Sequence, residues 1–311
     1  MKQLQDKKKT LRWIDITKPT QQDRDAIKNE FDLLRIDLSD AFRSTYRSKI
    51  SHRENYIFLV LMVPIFRYET QSIDIEEIDL FIGKDYVISV HQGNLKPLKS
   101  LIKTALNNGN KKEELLGRGV EHFAHELLNG LLSYTYPMVD EIDNVLEKLK
   151  IDIFADKKSR RILVKDILLI RGNVAELRKA IRGHVTVIGQ LIKRDNDPNA
   201  FDFITQPALF ESLVDDAEEI WAALESNKEL IEALEDANES LVSHSLNEVM
   251  KTLTVFSAIM LPSVVVASIF GMNVRYAPLL GHELGFWILL MFMGLVTLIM
   301  LFVFWRKHWL K

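Results

Sequence analysis

TLTVFSAIMLPSVVVASIFGM, residues 252–272, is an apolar run that ends on Gly271-Met272, with Asn273 next in the chain. A second run, FWILLMFMGLVTLIMLFVFW at residues 286–305, follows after a short loop. A bilayer core needs about 20 consecutive apolar residues, so each run is long enough to cross one. The loop between them is therefore a tight turn on the far side of a membrane, with a polar Asn at its entrance, a place suited to a site on a transport path. Everything before Met250 is polar enough to be soluble. The predicted organisation is thus a soluble part followed by a two-span hairpin.

Composition and charge narrow the classes. The chain has 311 residues, a formal net charge of -3 and no cysteine. A near-neutral chain is a poor general nucleic-acid binder, so no nucleic-acid partner is expected. Without cysteine, disulfides and Cys-ligated zinc are excluded. The N-terminal MKQLQDKKKTLRW is basic but lacks an apolar core, so it does not read as a signal peptide. Arg306, Lys307 and Lys311 follow the second span and Lys251 precedes the first, whereas the loop carries only Arg275. The excess of basic residues predicts both termini in the cytoplasm, the loop outside, and a location in the plasma membrane.

Residues 1–133 read as a cytoplasmic α/β domain. Leu11 to Ile16, Ile78 to Ile82 and Tyr86 to Val90 are predicted strands, the last two joined around Gly83-Lys84-Asp85. Tyr56 to Ile65, YIFLVLMVPI, is unbroken apolar sequence suited to a buried central strand. Helical patterns cover Gln21 to Phe31, Pro97 to Leu106 and Glu113 to Ser133. Residues 134–250 read as long helices and a stalk, with helices at Val139 to Ile153 and Ile162 to Lys193, and residues 251–311 as the membrane domain. No Gly or Pro lies between Pro207 and Pro262, which predicts one helix from Pro207 to Met272. At about 1.5 Å per residue such a helix is on the order of 100 Å long, too long to be buried in one globular domain.

This helix carries two stripes at alternating spacings of three and four. The first is apolar: Leu213, Ala217, Ile220, Leu224, Ile231, Leu234 and Leu241, with Asn227 and Asn238 in register, as for packing on neighbouring helices. The second runs through Ser212, Asp215, Glu219, Ala222, Ser226, Glu229, Ala233, Asp236, Ser240, Ser243, Asn247 and Met250, then Thr254, Ser257, Leu261, Val264, Ser268 and Gly271. Its cytoplasmic half alone reads equally well as a solvated face. Thr254, Ser257 and Ser268 extend it into a span, where polar residues usually face a bundle interior or water. A continuous stripe of this kind predicts a pore axis, and one helix cannot enclose a pore, so the unit is a homo-oligomer.

At these residues the chain resembles the CorA family of magnesium transporters. The resemblance is carried by Asn247-Glu248-Val249-Met250, Pro262, Gly271-Met272-Asn273, the basic end with Trp309-Leu310, and upstream Asp79 to Lys84 and Val174 to Lys179. It implies an α+β homopentameric funnel with a cytoplasmic α/β domain, stalk helices and two C-terminal spans. It also implies uptake of Mg2+ gated by cytoplasmic Mg2+, with no enzymatic step. Asn273, with Gly271 and Met272, would form the selectivity ring at the outer mouth. Asn247, Met250, Leu253, Ser257, Leu261 and Val264 would face the pore, Met250 and Leu261 as its apolar constriction. The stripe includes Thr254 where the resemblance points to Leu253.

A ring of neutral Asn carbonyls suits an ion that keeps its waters. The resemblance further implies a regulatory carboxylate site between subunits. Ser212 stands at the stalk position, flanked by Glu211 and Asp215, with Glu219 and Asp236 further along as candidate metal ligands. Arg275 and Ala277-Pro278-Leu279-Leu280 replace the acidic loop usual in magnesium members. That departure leaves open, as the alternative, a transporter of Zn2+ or of Co2+ and Ni2+ from the zinc-transporting branch, with His282 a candidate contact. A membrane-anchored coiled-coil scaffold is the remote alternative. His91, His122, His125 and His184 are scattered and read as structural.

Overall fold

The computed structural model describes residues 1–6, 11–155, 160–193, 200–272, 284–307 and 309. The chain divides into two compact units, Met1–Leu234 and Glu235–Lys311.

The first unit is built on a six-stranded sheet of β1 (Lys2–Gln5), β2 (Arg12–Thr17), β3 (Lys49–His52), β4 (Tyr56–Arg67), β5 (Ser72–Gly83) and β6 (Tyr86–His91). The strand order is β1-β2-β6-β5-β4-β3. Only β2 and β6 pair in parallel, with Ile14 opposite Ile88, and the other pairs are antiparallel. The long apolar run of β4 has the expected cause, because both faces of the sheet are covered. Ile57, Leu59, Leu61, Val63 and Ile65 enter one core. Tyr56, Phe58, Val60 and Met62 enter the other. Each fully buried side chain of this size contributes about 1.5–3 kcal/mol.

The first core is closed by α3 (Lys96–Asn107), α4 (Gly109–Leu116) and α5 (Val120–Ser133), through Leu98, Ile102, Leu116, Phe123 and Leu127. The stretch expected as a single helix from Glu113 to Ser133 is thus two helices, parted at Gly117–Gly119. The second core receives Ile27 from α1 (Gln21–Glu30), Leu38 and Ala41 from α2 (Arg35–Ala41), and Ala180 from α7 (Arg160–Ile192). Two polar side chains anchor α7 to the sheet and to the β4–β5 turn. Asn173 accepts the Ile73 N–H and donates to the Gln71 carbonyl, both at 2.9 Å. His184 Nε2 lies 3.0 Å from the Met62 carbonyl. α6 (Tyr136–Phe154) precedes α7 in the chain.

The expected long helix is present as α8, Pro207–Gly271, 65 residues. Its start is capped from α5, whose Glu121 carboxylate accepts the Thr205 and Gln206 N–H groups at 2.8 and 2.6 Å. In the second unit the outer part of α8 is accompanied by α9 (Gly285–Arg306). Both helices are long and apolar enough to cross a membrane.

Candidate functional site

The two stripes of α8 separate by exposure. Leu213, Ala217, Ile220, Leu224, Ile231 and Leu234 are buried, and so is Asn227 in register with them. Asn227 donates to Asp143 of α6 at 2.6 Å. From α7, Arg178 Nε donates to Glu225 at 2.9 Å, and its guanidinium lies 5.3 Å from the Trp221 ring centre. An ion pair combined with a cation–π contact fixes rotation as well as distance, because both the fork and the ring face must be met. The face two residues on is about 200° around the helix at about 100° per residue, so clamping one stripe turns the other outward. Ser212, Asp215, Glu219, Ala222, Ser226, Glu229, Ala233, Asp236, Ser240, Ser243 and Asn247 are all exposed. Glu211, beside Ser212, is exposed too. Among the described residues of one chain, no three His, Asp or Glu side chains gather as a metal site.

The membrane part repeats this division. Val255 is buried, and Ala258, Ile259, Pro262, Ser263, Val266 and Phe270 are half-buried. The opposite face carries Met250, Thr254, Ser257, Leu261, Val264, Ser268 and Gly271, all exposed. Leu253 is exposed as well, so exposure does not choose between it and Thr254. The Thr254 hydroxyl donates to the Met250 carbonyl at 2.7 Å. With its proton committed to the backbone, its lone pairs are free to accept from water around a cation. Gly271 ends α8 and Met272 is exposed, whereas Asn273, Arg275 and His282 lie outside the described residues.

A soluble α/β domain, a 65-residue helix and two spans match a known family along nearly the whole chain. The model of the CorA-like Mg2+ transporter family matches residues 8–307. The chain belongs to the CorA-like Mg2+ transporter family. It is a divalent-cation transporter of that family and not an enzyme. The cobalt/magnesium transport protein CorA of Thermotoga maritima is 26% identical over 88% of this chain and 76% of that protein. The complete structure of the CorA magnesium transporter from Methanocaldococcus jannaschii aligns with a TM-score of 0.81 at 20% identity, over 97% of this chain and 92% of that one. The ZntB cytoplasmic domain from Vibrio parahaemolyticus aligns at a TM-score of 0.60 and 11% identity, over 75% of this chain and 88% of that one. The CorA-like fold therefore covers both units.

Sequence reasoning missed a buried polar network in this CorA-like domain. Trp13 Nε1 donates to Ser89 Oγ at 3.0 Å, and Ser89 donates to Asp15 at 2.8 Å. His91 Nε2 lies 3.0 Å from the same Asp15 oxygen, and the Gly93 N–H donates to His91 Nδ1 at 3.0 Å. Burial would lift the Asp15 carboxyl, but the hydrogen bond and charge of His91, with Ser89 and Thr17, hold it below its ordinary value. Burial would lower the His91 imidazole, and Asp15 and Glu76 outweigh it. His184 has only a carbonyl for company, so complete burial pushes its pKa down to about 4. The reading of these two histidines as structural agrees with their surroundings. Only a three-dimensional pairing of β2 with β6 could reveal the Asp15–His91 contact, because the two residues are far apart in sequence.

Proposed function

We propose that the chain is the subunit of a homopentameric channel that admits Mg2+ along the exposed stripe of α8 and closes in response to cytoplasmic Mg2+. The observation that carries this reading is the continuity of that stripe. It stays exposed from Ser212 to Gly271, while the opposite side of the same helix is buried or half-buried along most of its length. Five copies arranged about one axis would cover it.

In this reading both termini are cytoplasmic. Asn273 rings the outer mouth with Gly271 and Met272, and neutral amide oxygens bind the ion through its waters. Mg2+ gives up water reluctantly, so such a ring selects it without dehydration. Asn247, Leu253, Thr254, Ser257, Val264 and Ser268 line the path, and Met250 and Leu261 form apolar rings that close by dewetting. Glu211, Asp215, Glu219 and Asp236 take up cytoplasmic Mg2+ between subunits and hold the stalks together. The membrane potential drives entry. Zn2+ cargo is the second reading, left open because Arg275 and Ala277-Pro278-Leu279-Leu280 stand in place of the acidic loop of magnesium members.

The test is uptake into proteoliposomes, comparing Mg2+, Co2+, Ni2+ and Zn2+ with and without a pH gradient. Mg2+ should enter without a gradient, and Asn273→Ala should nearly abolish entry from an assembled oligomer. Normal uptake by Asn273→Ala would remove the selectivity assignment. Zn2+ entry that depends on the gradient would install the second reading.

A further inference from the structure

The contact between the two spans is loose where it could be tight. A crevice of about 330 Å³ opens between them, lined by Leu261, Pro262, Val265, Phe292, Met293 and Val296. Gly294 is not used for close approach, since a Cβ built there meets nothing within 4 Å. Two further facts mark that crevice, which Ser263 also lines. Pro262 lies inside α8 and has no N–H for the carbonyl one turn back, so one helix hydrogen bond is missing there. Directly after it, Ser263 Oγ lies 3.3 Å from Thr297 Oγ1 of α9, longer than the roughly 3.0 Å upper limit usual for a hydroxyl pair, and either can donate. Among the described residues, this is the polar side-chain contact that joins the spans.

Helices in lipid gain little from hydrophobic burial against each other. They associate through close packing and interhelical hydrogen bonds. Here the first contribution is weakened by the crevice and the open Gly294, and the second rests on two hydroxyls. A hydroxyl in lipid can bond back to its own helix, as Thr254 does, or across to a neighbour, and Ser263 and Thr297 face each other across the two helices. Ser263 sits on the half-buried face of α8, Leu261 is exposed at the rim of the crevice, and Val264 is exposed outside it. Rotating α8 until Ser263 leaves Thr297 would carry Leu261 and Val264 away from the axis by the same angle.

We propose that Ser263 and Thr297 are positioning residues for transport: their hydroxyl pair fixes the rotation of the first span on the second and so aims Leu261 and Val264 at the ion path. Neither residue touches the ion. The proposal rests on the reading of α8 as the pore-lining helix, and two separate measurements keep the two ideas apart.

The first measurement does not involve transport. Because the chain has no cysteine, Ser263→Cys with Thr297→Cys introduces the only two thiols. In membranes treated with copper–phenanthroline, both should become resistant to a mass-tagging maleimide after denaturation, in a band of monomer size. Val264→Cys with Thr297→Cys should stay taggable. Full tagging of the Ser263→Cys/Thr297→Cys protein after oxidation, or conversion to a dimer band, would overturn the pairing within one chain.

The second measurement is Mg2+ uptake. A single interhelical hydrogen bond in a membrane corresponds to about a threefold change in an equilibrium. Ser263→Ala and Thr297→Val should each lower uptake about threefold, the double variant no further, and Ser263→Thr should restore it. Wild-type uptake in both single variants, or losses that multiply in the double variant, would overturn the positioning role. A wild-type protein that passes no cation would instead remove the transport reading and leave the thiol result standing.

Discussion

At the scale of single residues, His184 makes a pH-dependent contribution whose sign follows from its surroundings. Its folded pKa, pushed to about 4 by burial, lies below the ordinary 6.5. Between those values the unfolded chain binds a proton that the folded chain refuses, so stability falls as pH falls through this window. Each tenfold loss of proton affinity corresponds to about 1.4 kcal/mol, which makes the full effect roughly 3 kcal/mol. Thermal unfolding of the purified protein from pH 7 down to pH 4.5 should show this loss. His184→Gln, which keeps a donor for the Met62 carbonyl and does not titrate, should flatten that part of the curve. An unchanged slope would mean that His184 is protonated in the folded protein. His91 behaves in the opposite sense. Its pKa is raised, so its contribution is complete below 6.5 and is lost as pH rises through the folded value.

At the scale of elements, the break between α4 and α5 is a backbone feature. Gly119 has φ 91 and ψ -179, a region that is essentially glycine's alone. A Cβ there meets no atom within 4 Å, so Gly119→Ala should cost about 1–3 kcal/mol through backbone strain alone, read as a lower midpoint in denaturant unfolding. The break was hidden because the apolar positions on its two sides, Leu116 and Val120, keep helical spacing across it. β1 and β3 escaped notice for another reason. KQLQ and KISH are short, charged edge strands, and edge strands are kept polar to prevent further pairing. The central strands were legible because burial on both faces demands unbroken apolar sequence, and the stripes of α8 because a helix repeats its faces at threes and fours. The Ser263–Thr297 contact was not legible, since no periodicity links residues on two different spans. For α8 itself, Met250→Asp or Leu261→Asp should place charge in an apolar ring and ease wetting. On the proposed gating by cytoplasmic Mg2+, the channel should then leak at high cytoplasmic Mg2+; flux equal to wild type under that condition would mean that these side chains do not face the path.

At the scale of the whole molecule, the acids of the exposed stripe would recur in each copy of the proposed ring. Close carboxylates repel, and screening over about 8 Å at physiological salt does not remove repulsion at contact distance. Millimolar Mg2+ should therefore protect the stalk of the solubilised protein from protease. Asp215→Lys combined with Glu211→Lys should weaken that protection; identical digestion with Mg2+ and with chelator would leave the stripe a solvated face. The β4–β5 pairing, with Tyr56 opposite Gly83 and Arg67 opposite Ser72, has a consequence for biosynthesis. A segment such as YIFLVLMVPI is prone to cross-strand aggregation while uncovered. Its partner follows directly after the turn at Tyr68-Glu69-Thr70-Gln71 and leaves the ribosome moments later, so a local hairpin can sequester it early. Both spans lie downstream of this hairpin in the chain. This apolar strand can thus be paired before either of these two spans emerges, so a translating ribosome need not expose it together with them.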